Sequence, residues 1–263
     1  MPDYEIHAIK YARNSDRTRS QNFLGGDAHD ARMDLDYFVW AITDGERTFV
    51  LDTGFDEISG PARGREIWRP VGEGLTAVGI DPDTVEDVIL SHLHYDHAGN
   101  HELFPRARYH LQEREMAYCT GPCMCHHILR HPFHLEDVQH MVKRVFEGRV
   151  QFHDGDREIA PGLSLHWVGG HSRGLQVVRV KTRRGWVVLA SDAAHYYENF
   201  ERHAPFAVVV DVADMLKGYD TMDRLASSRQ HIVPGHDPLV LERYPSSNKG
   251  PGIVRLDADP IAI

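Results

Sequence analysis

Long apolar runs are missing from this chain of 263 residues. No stretch approaches the ~18 consecutive apolar residues of a membrane helix, so no membrane partner is expected. An excess of positive charge is missing too. Against 39 acidic side chains stand 29 Lys and Arg, a formal net charge of −10. Phosphate backbones are bound through a basic footprint, which argues against a nucleic-acid partner. Cysteine is scarce and oddly placed: Cys119, Cys123 and Cys125 are the only three. An odd, clustered set suits neither a disulfide framework nor the common structural-zinc spacings, and it reads as lining of a pocket or lid. No basic stretch leading into an apolar run opens the sequence, so a cytoplasmic location is expected. No linker-like shift of composition divides it either, and residues 1–263 are expected to form one domain.

What the chain has in quantity is histidine, 19 residues, and four metal-binding side chains fall within six positions. They lie in Ser91-His92-Leu93-His94-Tyr95-Asp96-His97-Ala98-Gly99-Asn100, directly after the apolar run Val88-Ile89-Leu90, which reads as a buried strand. In an extended segment His92 and His94 point the same way, because side chains alternate with period two. A turn beyond Tyr95 brings Asp96 and His97 round towards them. Imidazole and carboxylate suit Zn²⁺, and a site that keeps a place for water is a catalytic one. With 19 His, chance pairs are common, so the motif needs partners elsewhere. Three residues at predicted strand ends supply them: His171 after Gly169-Gly170, Asp192 after Ser191, and His236 after Pro234-Gly235.

The rest of the chain alternates strands and loops. Tyr4–Ile9, Asp36–Ile42 and Thr48–Leu51 read as strands, the last two joined across Thr43-Asp44-Gly45-Glu46. Asp52, at the tip of that hairpin, is either a partner orienting a ligand histidine or a plain turn cap. Residues 12–33 read as a long binding loop or lid carrying exposed Phe23 and Leu24. Ala107–Leu111 is a strand, 113–118 a short helix, and 119–134 an irregular segment rich in Cys, His and Pro. Leu135, Val138, Met141, Val142, Val145 and Phe146 follow a helical period whose stripe reads as core packing. Strands over Leu163–Val168, Leu175–Val180 and Trp186–Ala190 follow, then a helix over Asp211–Ser227. Two arginine clusters, Arg13/Arg17/Arg19 and Arg63/Arg65/Arg69, read as solvated surface before they read as anion sites. The two strand-rich halves suggest an αββα sandwich, α/β in class, with two mixed β-sheets flanked by helices.

His92-x-His94-x-Asp96-His97, Gly170-His171-Ser172, Ser191-Asp192 and Pro234-Gly235-His236 resemble the metallo-β-lactamase superfamily over nearly the whole chain. The resemblance implies two divalent metals: His92, His94 and His171 on one, Asp96, His97 and His236 on the other, and Asp192 bridging both. Zn²⁺ is expected, with Fe, Mn or Co as substitutes. A true β-lactamase typically has cysteine at the Asp192 position. Ser191–Glu201 and His203-Ala204-Pro205-Phe206-Ala207 are similar to the quorum-quenching N-acyl-homoserine-lactone lactonases.

That branch implies a hydrolase opening a lactone or related ester by attack of a metal-bridging hydroxide. Asp96 would carry the proton. His195 stands where the branch has a tyrosine assisting the carbonyl, with Tyr196 or Tyr197 as alternates for that task. Substrate contacts are expected from Phe23, Leu24, Phe206 and the 119–134 segment, and a homodimer is the analogy for assembly. Thioester hydrolysis of the glyoxalase II kind is the runner-up; the chain after His236 is short for its extra helical region. A mononuclear iron dioxygenase would need fewer ligands than are present.

Overall fold

The computed structural model describes residues 1–261. Thirteen strands carry the fold: β1 (Glu5–Asn14), β2 (Leu35–Thr43), β3 (Thr48–Leu51), β4 (Glu66–Ile67), β5 (Asp87–Ile89), β6 (Arg108–Gln112), β7 (Val150–His153), β8 (Arg157–Ala160), β9 (Leu163–Trp167), β10 (Gln176–Thr182), β11 (Gly185–Ser191), β12 (Ile232–Pro234) and β13 (Ile253–Arg255). One sheet has the order β13-β1-β2-β3-β5-β6-β7, with β4 paired to the end of β1, and the other has β12-β11-β10-β9-β8. Both are mixed: β3, β5, β6 and β7 run parallel, as do β11 and β12, and the remaining pairs are antiparallel.

Strand alternation explains the two apolar layers. Along β2, Phe38, Trp40 and Ile42 enter the core between the sheets with Leu165, Val178 and Leu189. Their neighbours Tyr37, Val39 and Ala41 enter a second core with Val88, Tyr109 and Met141, under the helices. A strand buried on both faces reads as a continuous apolar run, as β2 does. The αββα sandwich expected from the sequence is the fold observed.

Local differences have local reasons. β1 runs to Asn14, and Arg19–Asn22 forms a helical turn, so the 12–33 segment is shorter and better ordered than a free loop. Phe23, expected to be exposed, is buried at 5%, whereas Leu24 is exposed. The helix Leu135–Phe146 buries Val138 and Met141 but leaves Leu135 and Phe146 in solvent, so its core stripe is narrower than its apolar period. β7, β8 and β13 carry weak patterns because they are short and lie at sheet edges.

Trp40 is 1% exposed at the centre of the inter-sheet core. Trp40→Ala is expected to lower unfolding free energy by about 3–5 kcal/mol, measured by urea denaturation.

Candidate metal centre

Parallel strands β3 and β5 deliver Asp52 and the 91–97 turn to one edge of the first sheet. The β9–β10 loop delivers His171, the end of β11 delivers Asp192, and the turn after β12 delivers His236. The turns are sharp. Gly170 has φ +82° and packs so closely that a Cβ would sit 2.6 Å from the Met215 backbone. A Cβ on Gly235 would meet the Ser191 carbonyl oxygen at 2.6 Å. Asp52 (φ 60°) and Ser191 (φ 44°) are non-glycine residues in the left-handed region, a strain found where surrounding structure dictates backbone.

All seven expected ligands converge. His92, His94, His171 and Asp192 bring donor atoms within 4.8 Å of one another, as do Asp96, His97 and His236. Asp192 lies between the groups. Its Oδ2 is 3.0 Å from His171 Nε2 and 3.7 Å from His92 Nε2, and its Oδ1 is 2.8 Å from His236 Nε2 and 3.1 Å from His97 Nε2. Asp96 is more peripheral, with Oδ2 3.8 Å from His97 Nε2 and 4.0 Å from His236 Nε2.

The far nitrogens of these rings are committed elsewhere. His92 Nδ1 faces Ser91 Oγ at 3.0 Å and His97 Nδ1 faces Asp52 Oδ2 at 2.8 Å. His171 Nδ1 donates to the Val208 carbonyl at 2.7 Å, and His236 Nδ1 to the Asp36 carbonyl at 2.8 Å. Such bonds leave lone pairs on the inner nitrogens. His171 Nε2 and His94 Nδ1 stand 2.9 Å apart, while the buried His92 Nε2 and His97 Nε2 have no hydrogen-bond partner. Converging acceptors and orphaned imidazole nitrogens fit a pair of cations better than a hydrogen-bonded core.

Electrostatics agree for His92, His94 and Asp192. Burial holds the His92 and His94 pKa values well below normal, aided by the neighbouring imidazoles. For Asp192 burial acts upwards, but His195, His97, His236 and His171 overcome it and hold the carboxyl well below its usual range. Burial acts downwards on His97 and is overcome by Asp192, Asp96 and Asp52, which raise it well above normal.

The other expected site residues separate clearly. His195 is 3% exposed, its Nε2 is 3.1 Å from Asp192 Oδ2, and burial pushes its pKa down to about 3. Phe206 stacks on it at 3.5 Å between ring centres. Both line a pocket of about 140 Å³ with His94, Asp96, His171, Asp192 and His236. Tyr196, Phe23 and Leu24 are not among its lining residues. The Tyr196 hydroxyl instead meets Asn22 Nδ2 at 2.8 Å and the Asp34 carbonyl at 3.2 Å, and Phe23 packs on the Tyr196 ring. Tyr197 opens the helix Tyr197–Glu201 and is buried against Phe200.

The 119–134 segment is pinned to the site. Phe133 bridges His94, and the Tyr95 N–H donates to the Pro132 carbonyl at 2.9 Å. It walls an apolar groove of about 490 Å³ with Ile128, Leu129, Val208 and Val209, sharing His94 and His171 with the metal pocket. Of the cysteines, Cys119 is buried, Cys123 lines a neighbouring cleft and Cys125 is exposed; none joins the cluster.

Two carboxylates outside the ligand set support it, one with its role left open by the sequence and one unread. Asp52 proves to be an orienting partner: besides His97 it accepts from Ser91 N at 2.7 Å and Ser91 Oγ at 2.9 Å. Glu115, fully buried, accepts from Leu93 N at 3.0 Å, Ser172 Oγ at 2.5 Å and Gly174 N at 2.8 Å, tying the His92–His94 turn to the His171 loop. Asp52 had two readings open, and Glu115 had none, because one carboxylate in a helix makes no pattern. A separate trio, His101, Asp137 and His140, lies outside the main cluster.

A family model described as the metallo-beta-lactamase superfamily matches residues 33–241. An N-acyl homoserine lactonase of Bacillus thuringiensis is 33% identical over 171 residues, 63% of this chain and 58% of the relative, so the chain spans under two thirds of that relative's length. The N-acyl homoserine lactonase AttM of Azorhizobium caulinodans is 26% identical over 271 residues, 96% of this chain and 99% of the relative. A crystal structure of a quorum-quenching N-acyl homoserine lactone lactonase matches with a TM-score of 0.75 at 25% identity, covering 90% of this chain and 94% of that one.

Asp52→Asn removes the carboxylate behind His97. Metal affinity is expected to fall roughly 10- to 100-fold, read by competition with a chromogenic chelator, with the far-ultraviolet circular dichroism unchanged.

Proposed function

The chain belongs to the metallo-beta-lactamase superfamily, and on that premise we propose that it is a dinuclear metal-dependent hydrolase that opens lactones. The observation carrying this reading is the convergence of His92, His94 and His171 on one side of Asp192, and of Asp96, His97 and His236 on the other. The imidazole and carboxylate donors suit Zn²⁺, as they suit Fe, Mn or Co. The lactonase names of the relatives support the choice of a cyclic ester. Among the described residues no helix is long and apolar enough to cross a membrane.

Two bound divalent cations would supply a water of lowered pKa, towards ~7, and polarise the ester carbonyl. The chain's own residues do the rest. Asp52, Ser91 and the Val208 and Asp36 carbonyls hold four imidazoles by their outer nitrogens, so the inner nitrogens need no reorganisation. The water oxygen bonds to the acyl carbon, the ring C–O bond breaks, and the proton from water ends on the departing alkoxide. Asp96 carries that proton: it lines the pocket and is less buried than Asp192, the other acidic ligand.

His195, fixed flat by Phe206, offers an N–H to the substrate carbonyl oxygen beside Asp192. It takes this task in preference to Tyr196, whose hydroxyl is held by Asn22 and Asp34. The apolar groove along 128–132 and Val208 accepts the hydrocarbon part of the substrate.

Asp192→Asn and His94→Ala are each expected to abolish lactone hydrolysis and to lower bound metal, measured by pH-drop assay and elemental analysis of the same sample. Full turnover by metal-free Asp192→Asn would exclude the dinuclear reading. His195→Phe is expected to lower kcat roughly 10- to 100-fold while metal content stays at the wild-type level. Parallel loss of metal would make His195 a ligand.

A further inference from the structure

Resting on the lactone-opening reading, we infer that Arg17, Arg63 and Arg65 form an anion subsite, and that the substrate is a lactone bearing a separate ionised carboxylate. The three come from two distant stretches of sequence, yet all line the pocket that holds His94, Asp96, Asp192 and His195. Two of their cluster-mates are neutralised within the protein, Arg13 by Asp36 and Arg19 by Asp27 and Glu198, while Arg69 bonds the Pro251 carbonyl away from this pocket. In a chain of net charge −10, the three at the pocket are different. Their side chains meet only neutral acceptors: Arg17 bonds Asn22 Oδ1 and the Gln21 carbonyl, Arg63 the His131 and Phe133 carbonyls, and Arg65 the Tyr95 hydroxyl.

Those contacts fix the guanidiniums without using up their donors. Arg65 spends only Nε, at 2.9 Å, so both terminal nitrogens keep all their hydrogens for a ligand. The Tyr95 hydroxyl is itself braced by Tyr37 at 3.2 Å. Arg63 lies over the Tyr95 ring at 4.3 Å, and Arg17 lies 5.2 Å from the Phe206 ring that stacks on His195. The planar fork of Arg65, partly exposed and with both terminal nitrogens uncommitted, is arranged to take a carboxylate by two parallel bonds. A purely structural role accounts for Arg63, which anchors the 131–133 backbone. It does not account for the two free ends of Arg65, nor for three unneutralised cations around one small pocket. The carboxylate released by ring opening forms at the metals, so the subsite serves a second acid group on the substrate.

The test compares 5-oxotetrahydrofuran-2-carboxylate with its methyl ester on the metal-loaded enzyme. The acid is expected to have a kcat/KM at least tenfold higher, and salt is expected to erode the preference. Arg65→Gln should remove most of it, mainly through KM, while turnover of the ester stays within about twofold; Arg63→Gln should also remove most of it, with the ester's own kcat/KM correcting for any shift of the 131–133 backbone. Calorimetry gives a readout apart from turnover. The wild type should bind 2-hydroxyglutarate, the opened product, more tightly than 4-hydroxybutyrate, and Arg65→Gln should erase that difference. Equal turnover of acid and ester, or a preference that survives both substitutions, overturns the subsite and leaves the lactone reading standing. No turnover of any lactone, together with arginine-dependent binding of 2-hydroxyglutarate, removes the lactone reading and keeps the subsite.

Discussion

Two buried carboxylates, Asp52 and Glu115, hold the site in the shape it has. A carboxylate cut off from water is costly unless donors surround it. Asp52 gathers Ser91, His97 and Ser191; Glu115 gathers Leu93, Ser172 and Gly174. Each draws donors from both sheets, so neither sheet can shift without stranding a charge. Burial raises the Glu115 pKa against the pull of its three donors, a sign of how completely it is enclosed. Gln176 adds a neutral tie: its N–H donates to the Ser91 carbonyl at 3.0 Å and its side-chain amide to that of Leu90 at 2.8 Å. The apolar core sets the sandwich, and these polar groups set the register of one sheet's loops against the other's.

The parts of the fold that were legible in the sequence are those where packing imposes a simple period. β2 and β3 around their Asp-Gly turn, and β10 and β11 around theirs, lie where alternation and turn chemistry place them. The seven clustered side chains were legible because few tasks besides metal binding use His and Asp at strand tips. Orientation was harder. His195, Tyr196 and Tyr197 are consecutive and all polar-tipped, and nothing local says which one faces inward. The answer depends on Asn22, a residue 174 positions away from Tyr196, taking its hydroxyl. Phe23 is buried for the same reason, because its segment folds back onto Tyr196. Likewise the two arginine clusters looked uniform in sequence, and only the folded positions of Asp36, Asp27, Glu198 and Pro251 set Arg13, Arg19 and Arg69 apart from the three at the pocket.

Charge is distributed against the average. The protein as a whole is acidic, yet the mouth of its central pocket carries cations.

The donors of the metal cluster are divided between the two sheets: the 91–97 turn belongs to one, and His171, Asp192 and His236 belong to the other. A cation gripped by both therefore acts as a rivet through the sandwich. Its binding free energy adds to that of folding, because the unfolded chain cannot present the same geometry. Loss of metal would thus weaken the scaffold along with the chemistry.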